Sequence, residues 1–212
     1  MTGPAPVVTV GSLWQLGGMK PANTTGAGGA TVYYGNLDSI HALRVFLELR
    51  DRASHRMAES LLGTIRRAAD DNRFVVRFHF AAILDDTVGG SGSQRGLSAL
   101  GAASDVGQRQ FIDYLGVLLA AQPSSPGLDR FADTSVLLSL ASEVEGLRST
   151  GFDRKVTEDT YLTWAGETVG AFASYGVVGT PVVWYDDEVI PVLRGEDEPA
   201  LTPQEFLAQF PE

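Results

Sequence analysis

At 212 residues, with 44% hydrophobic and 20% charged residues, the chain is long enough for one domain with a sizeable core, or for one core with an inserted subdomain. A formal net charge of −10, with no Lys/Arg run, excludes nucleic acid as a main partner. Cysteine is absent, which removes disulfides, thiolate catalysis and thiolate metal sites together.

The three histidines, His41, His55 and His79, are scattered with no pair at ligand spacing, so no metal site is expected. Met1 to Val10 has neither a basic n-region nor a long apolar h-region. No stretch reaches the ~20 apolar residues that span a bilayer. A cytoplasmic protein without membrane contact is the expectation.

In chain order, Val7 to Val10 reads as a β-branched strand and Gly17 to Gly29 as loop. Thr31 to Tyr34 is a second strand, ended by Gly35-Asn36. Leu43, Phe46 and Leu47, then Met57, Leu61, Leu62 and Ile65, fall at helical spacing. They predict a long helix capped by Asp38 or Ser39, bent near Ala53-Ser54 and stopped by Asp70-Asp71-Asn72. Phe74 to Phe80 alternates as a strand.

Asp85 to Gly96 is Gly/Ser-rich and reads as a mobile linker. Its Gly89-Gly90-Ser91-Gly92 is no phosphate loop, because it follows Asp85-Asp86 and lacks Lys-Ser/Thr. A helical block follows, with stripes at Phe111 to Leu119, at Val136 to Val144 capped by Asp133 or Thr134, and at Tyr161 to Ala173 capped by Thr157. Val182 to Tyr185 and Val189 to Val192 form a hairpin across Asp186-Asp187-Glu188. Thr202 and Glu205 make a capping box, with Pro203 opening a last short helix.

A crossover helix between the second and third strands implies a parallel pair, and the hairpin adds antiparallel strands. The fold class is therefore α/β, a mixed central sheet covered by helices with a helical insertion. Residues 1–212 read as one domain, with a core of about 1–84 and 159–212 and an insertion of about 85–158.

Two segments carry a resemblance to the DsbA-like branch of the thioredoxin fold. Tyr34-Gly35-Asn36-Leu37-Asp38-Ser39-Ile40-His41-Ala42 resembles that family's strand–loop–helix segment leading into Cys-Pro-His-Cys. Gly176-Val177-Val178-Gly179-Thr180-Pro181 is similar to its Gly-Val-x-Gly-Thr-Pro segment, where the proline is cis and lies beside the active-site helix. The resemblance implies that Ser39 and Ala42 stand at the two cysteine positions and His41 at a position where several members carry His. It also implies an inherited groove of Ser39, Ile40, His41, Ala42, Gly179, Thr180 and Pro181.

Family members use a helix N-terminus to lower a thiol pKa, so that a thiolate attacks a disulfide and a second thiol resolves it. Ser39 and Ala42 cannot replace that pair. The expected function is a non-redox binding protein for a peptide, partner protein or small molecule, without a cofactor. The alternative is a glutathione-dependent transferase or isomerase resembling the kappa class, with Ser39 donating to a bound thiolate. That alternative lacks the Ser-Pro-Tyr-type motif. Ser39 also has the plainer role of helix cap, worth about 1 kcal/mol. A Ser39–His41 pair as hydrolase machinery fails on spacing, since residues two apart on a helix point in different directions. A homodimer through the apolar stripes is a third reading.

Two outcomes are expected from the sequence. The purified chain should give no turnover in insulin reduction or in oxidative refolding of a reduced substrate, and detectable turnover would refute the assignment. Ser39→Cys should create a thiol of depressed pKa if Ser39 opens the helix.

Overall fold

The computed structural model describes residues 19–122, 125, 127–195 and 197–210, so the strand expected at Val7 to Val10 lies outside the described residues. Among those residues the sheet has six strands: β1 (Thr24–Thr25), β2 (Thr31–Tyr34), β3 (Ala42–Glu48), β4 (Val75–Ala81), β5 (Val182–Tyr185) and β6 (Glu188–Ile190). Their order is β1-β2-β4-β3-β5-β6, with only β3 and β4 parallel. The architecture is a thioredoxin fold with a mixed sheet and helices.

β3 is the main departure from the sequence reading. Leu43, Phe46 and Leu47 mimic helical spacing, but Val45 and Leu49 are buried as well. Leu43, Val45 and Leu47 alternate on one buried face of the strand, and Phe46, buried on the other, breaks that alternation and supplies the helical spacing. The helix, α1 (Arg52–Asp70), begins after this strand and is capped by Asp51, not by Asp38 or Ser39. β4 lies within one residue of its expected span.

α1 lays Met57, Leu61, Leu62 and Ile65 on one face of the sheet, against Val45, Leu47, Val76 and Phe78. The final helix, α8 (Pro203–Leu207), joins the same face through Phe206, and its Thr202–Glu205 capping box is complete. Between β4 and β5 run α2 (Ile83–Thr87), α3 (Gly92–Val106), α4 (Gln108–Ala120), α5 (Thr134–Ala141), α6 (Thr150–Thr157) and α7 (Leu162–Phe172). α3 packs on α4, α6 and α7, and α4 packs on α1. Asp133 caps α5, accepting from the Ser135 amide at 2.8 Å.

Thr157 ends α6 instead of opening α7, and its hydroxyl donates back to the Asp153 carbonyl. The segment read as a linker holds α2 and the first turn of α3. No helix among the described residues is long and apolar enough to cross a membrane.

The other sheet face is roofed by the end of α7. Phe172 meets Phe46 edge-on, and Tyr175 packs on both Phe46 and His79. His79 is 3% exposed and stacked on Phe46, and its Nδ1 lies 3.5 Å from Thr31 Oγ1. Burial, with Arg44 and Arg77 adding to it, pushes its pKa down to about 3.

A folded pKa below the unfolded value means that the unfolded chain takes up the proton first. Stability is then lost as pH falls through the ordinary histidine range toward about 3. Relative to His79→Phe, the native chain should lose up to about 1.4 kcal/mol per pH unit in this window. Urea unfolding at several pH values checks this, and parallel profiles would show that His79 carries no such linkage.

Candidate functional site

β3 delivers the chain to the C-terminal end of the sheet, where Asp51 opens α1. Asp51 is extended (φ −82°, ψ 123°), which turns its carboxylate over the first turn of the helix. The carboxylate accepts from the Ala53 amide at 3.1 Å, the Ser54 amide at 2.8 Å and the Ser54 hydroxyl at 2.7 Å. A fourth donor, the Thr180 hydroxyl at 2.9 Å, comes from the loop before β5. A negative charge at the N-terminus of a 19-residue helix is well placed against its dipole.

The Thr180–Pro181 bond is cis. Gly179 before it has φ 102°, a conformation only glycine adopts without strain. Val178 beside it is 99% exposed.

A layer of buried polar groups supports this corner. Ser54 Oγ accepts from the Glu48 amide at 3.2 Å, tying the cap to the end of β3. Glu48 is 1% exposed, and its carboxylate accepts from the amides of Ile83 and Leu84, which open α2, and from the Ser93 hydroxyl. Burial raises its pKa, against the lowering pull of the Leu84 amide and the Ser93 hydroxyl. Arg50 is 3% exposed, pairs with Asp85 at 2.7 Å and Asp129 at 3.5 Å, and donates to the Gly89 carbonyl.

Asp85 also accepts from the Ser93 and Gln94 amides of α3, and Asp129 from the Ser91 amide. A Cβ at Gly90 or Gly92 would stand 2.3 or 2.0 Å from the Asp129 carboxylate, so only glycine fits there. The Gly89–Gly92 segment is thus clamped, not a mobile linker.

The expected groove divides into two places. Gly179, Thr180 and Pro181 lie at the start of α1. Ser39, Ile40, His41 and Ala42 lie at the opposite end of β3. Phe46 pairs with Val182, which sets Pro181 beside Leu47, five residues along β3 from Ala42. At ~3.3 Å per residue the two groups are on the order of 17 Å apart.

Ser39 sits in a turn and donates to Asn72 Oδ1 at 2.8 Å, and Ile40 is 90% exposed. His41 pairs through Nδ1 with Asp186 at 2.5 Å and stacks on Tyr185. Ala42 is the first residue of β3. Neither Ser39 nor His41 belongs to a helix, because the chain there must enter the central strand.

Asp51, Ser54, Glu48 and Arg50 are the residues that the sequence reading missed. Their signal is faint but physical. Asp51-Arg52-Ala53-Ser54 keeps the i, i+3 spacing of a Cys-x-x-Cys pair directly after an apolar run that a buried strand would explain. Chemically, the arrangement is a fixed anion with its acceptor sites in use. It has no atom that can exchange with a disulfide.

The sequence matches the family described as Thioredoxin over residues 28–208. Among solved structures, the reduced disulfide bond oxidoreductase DsbG from Mycobacterium tuberculosis is similar, with 17% identity and a TM-score of 0.67 over 84% of this chain and 85% of that one. The thiol-disulfide oxidoreductase MdbA from Actinomyces oris gives 16% and 0.68 over 85% and 84%. Reduced DsbA from Mycobacterium tuberculosis gives 16% and 0.68 over 85% and 90%. No curated protein matches the chain.

The geometry moves the cysteine experiment from Ser39 to Asp51. Asp51→Cys should give a thiol with a pKa below the ~8.5 of a free cysteine, because the amides of Ala53 and Ser54 and the Thr180 hydroxyl would face a thiolate. Ser39→Cys should titrate without that depression. Asp51→Cys with Ser54→Cys should oxidise to an intramolecular disulfide. Thiolate absorbance against pH and free-thiol titration read these outcomes, and an unshifted thiol at position 51 would show that the cap geometry is wrong.

Proposed function

Because the chain belongs to the thioredoxin family and is built like its DsbA-like members, with no cysteine, we propose that it is a non-redox binding protein that takes an extended peptide or partner segment beside Thr180. The observation that carries this reading is the pairing of a saturated Asp51 cap with an open loop next to it. Asp51 accepts from four donors. The backbone groups of Val178, Gly179 and Thr180 bond to no other backbone group among the described residues. Backbone N–H and C=O groups left free in an exposed loop are what a bound segment can pair with.

Exposed apolar side chains flank this corner from both sides. Val178 lies on the β5 side, and Ile83, 39% exposed, follows the end of β4. A partner segment would gain affinity from covering them, and the Asp51 charge would disfavour an anionic group at the helix start.

The glutathione alternative depended on a Ser39 hydroxyl at a helix N-terminus. Ser39 occupies a turn at the far end of β3, and a carboxylate already holds the helix N-terminus, where it would repel a thiolate. The structure supplies no support for that reading.

Titration of the labelled protein with an unfolded, cysteine-free polypeptide should shift the amide resonances of Val178, Gly179, Thr180 and Val182 and of residues 51–55. Val178→Asp should weaken binding at least about tenfold, about 1.4 kcal/mol, the order expected for losing one buried valine. Resonance shifts confined to other regions, or undiminished affinity in the variant, would overturn the reading.

A further inference from the structure

The face of the sheet roofed by Phe172 and Tyr175 is covered over only part of its width. Cross-strand register places Tyr33, Arg77, Arg44, Trp184 and Val189 in one continuous row over β2, β4, β3, β5 and β6. The neighbouring row holds His79 and Phe46 and lies under the end of α7. In the open row Tyr33, Arg77, Arg44 and Trp184 are all part-exposed, and Val189 is 69% exposed.

Two arginines therefore occupy directly paired positions on strands ~4.8 Å apart, and like charges so placed disfavour the sheet unless an anion offsets them. Arg44 pairs with Asp187 at 2.6 Å, but that aspartate is 71% exposed and sits at the rim. Arg44 also lies over the Trp184 ring at 5.8 Å. Arg77 has no carboxylate partner among the described residues, and its Nε is buried without an acceptor. Trp184 Nε1 is buried without an acceptor too. The row thus carries two donors beneath its surface that the chain leaves without acceptors, framed by aromatic rings, and an Arg77 with no carboxylate among the described residues to offset its charge.

We propose that this row is a docking surface for an acidic peptide segment of a partner protein, with a carboxylate received between Arg77 and Arg44. The guanidinium fork binds a carboxylate through two parallel hydrogen bonds, and Tyr33 and Trp184 receive the apolar atoms beside it. The row spans five strands, on the order of 19 Å, which suits an extended segment of about six residues and far exceeds a small anion. The surface is separate from the Thr180 corner and does not depend on its role.

The Trp184 Nε1–H resonance of the full chain is the reporter. An end-blocked peptide of alternating glutamate and leucine should shift it saturably, and its lysine counterpart should not. Arg77→Gln should weaken the interaction at least about tenfold without lowering the unfolding midpoint. The proposal is overturned if the glutamate peptide gives no saturable shift, or if Arg77→Gln binds as tightly as the native chain. An equal response to inorganic phosphate at the same concentration would also overturn it, as a bare anion site. Shifts that grow with protein concentration alone would assign the face to a second copy of the chain, again against the proposal.

Discussion

The carboxylate of Asp51 holds together parts of the chain that would otherwise meet only through packing. Three of its donors belong to the first turn of α1, and the fourth belongs to Thr180, 129 residues further on. The start of α1 is thereby fixed against the loop that leads into β5. Hydrogen bonds to a charged acceptor are worth about 1.5–3 kcal/mol each when buried. This corner is part-exposed, so the lower end applies. The helix dipole that the fold offers at this point is used to stabilise a side chain of the protein itself.

From that corner a chain of polar contacts runs into the helical insertion. Ser54 Oγ bonds to both Asp51 and the Glu48 amide, and Glu48 caps α2 and reaches Ser93. Arg50, one residue before Asp51, reaches Asp85 in α2 and Asp129 in the loop before α5, and Asp85 in turn accepts from the Ser93 and Gln94 amides of α3. Removing one partner of a buried pair leaves an uncompensated charge and costs about 3–5 kcal/mol, whereas the intact pair adds little net stability. The layer accordingly specifies how the insertion sits on the core more than it stabilises the whole. Gly90 and Gly92 belong to the same logic, because they leave room for the Asp129 carboxylate.

Local chemistry was legible in the sequence wherever one or two residues decide the backbone. Asp133 as a cap, the Thr202–Glu205 box with Pro203, and the hairpin turned by Asp186 and Asp187 are of this kind. Gly-Val-x-Gly-Thr-Pro identified the loop that bears Thr180. What failed was the segment whose structure tertiary burial decides. Leu43, Val45, Leu47 and Leu49 alternate as one buried face of this stretch, but Phe46 is buried on the other face under Phe172 and Tyr175, and with Leu43 and Leu47 it falls at helical spacing. That error carried Ser39 and His41 into an imagined helix start and hid Asp51. Glu48 and Arg50 escaped notice for a related reason: a charged residue in sequence suggests a surface, and here both are buried against each other's neighbours.

β3 links the Thr180 corner to the open row that holds Arg44 and Arg77. Arg44, Phe46 and Glu48 share one face of this strand, because side chains alternate along it. Arg44 opens onto the exposed row, Phe46 lies under Phe172 and Tyr175, and Glu48 supports the Asp51 corner. The roof over Phe46 keeps the two ends from merging into one groove. The strand between them is paired on both sides, parallel to β4 and antiparallel to β5, so its two ends cannot move independently. A chain without reactive thiols can still exploit this rigidity. Segments bound at both ends would be held in a fixed relation, at a separation set by the four residues from Arg44 to Glu48, about 13 Å. Such a spacing lets one partner chain engage both ends only if it bridges the roof. Two separate segments, one at each surface, would meet no such demand.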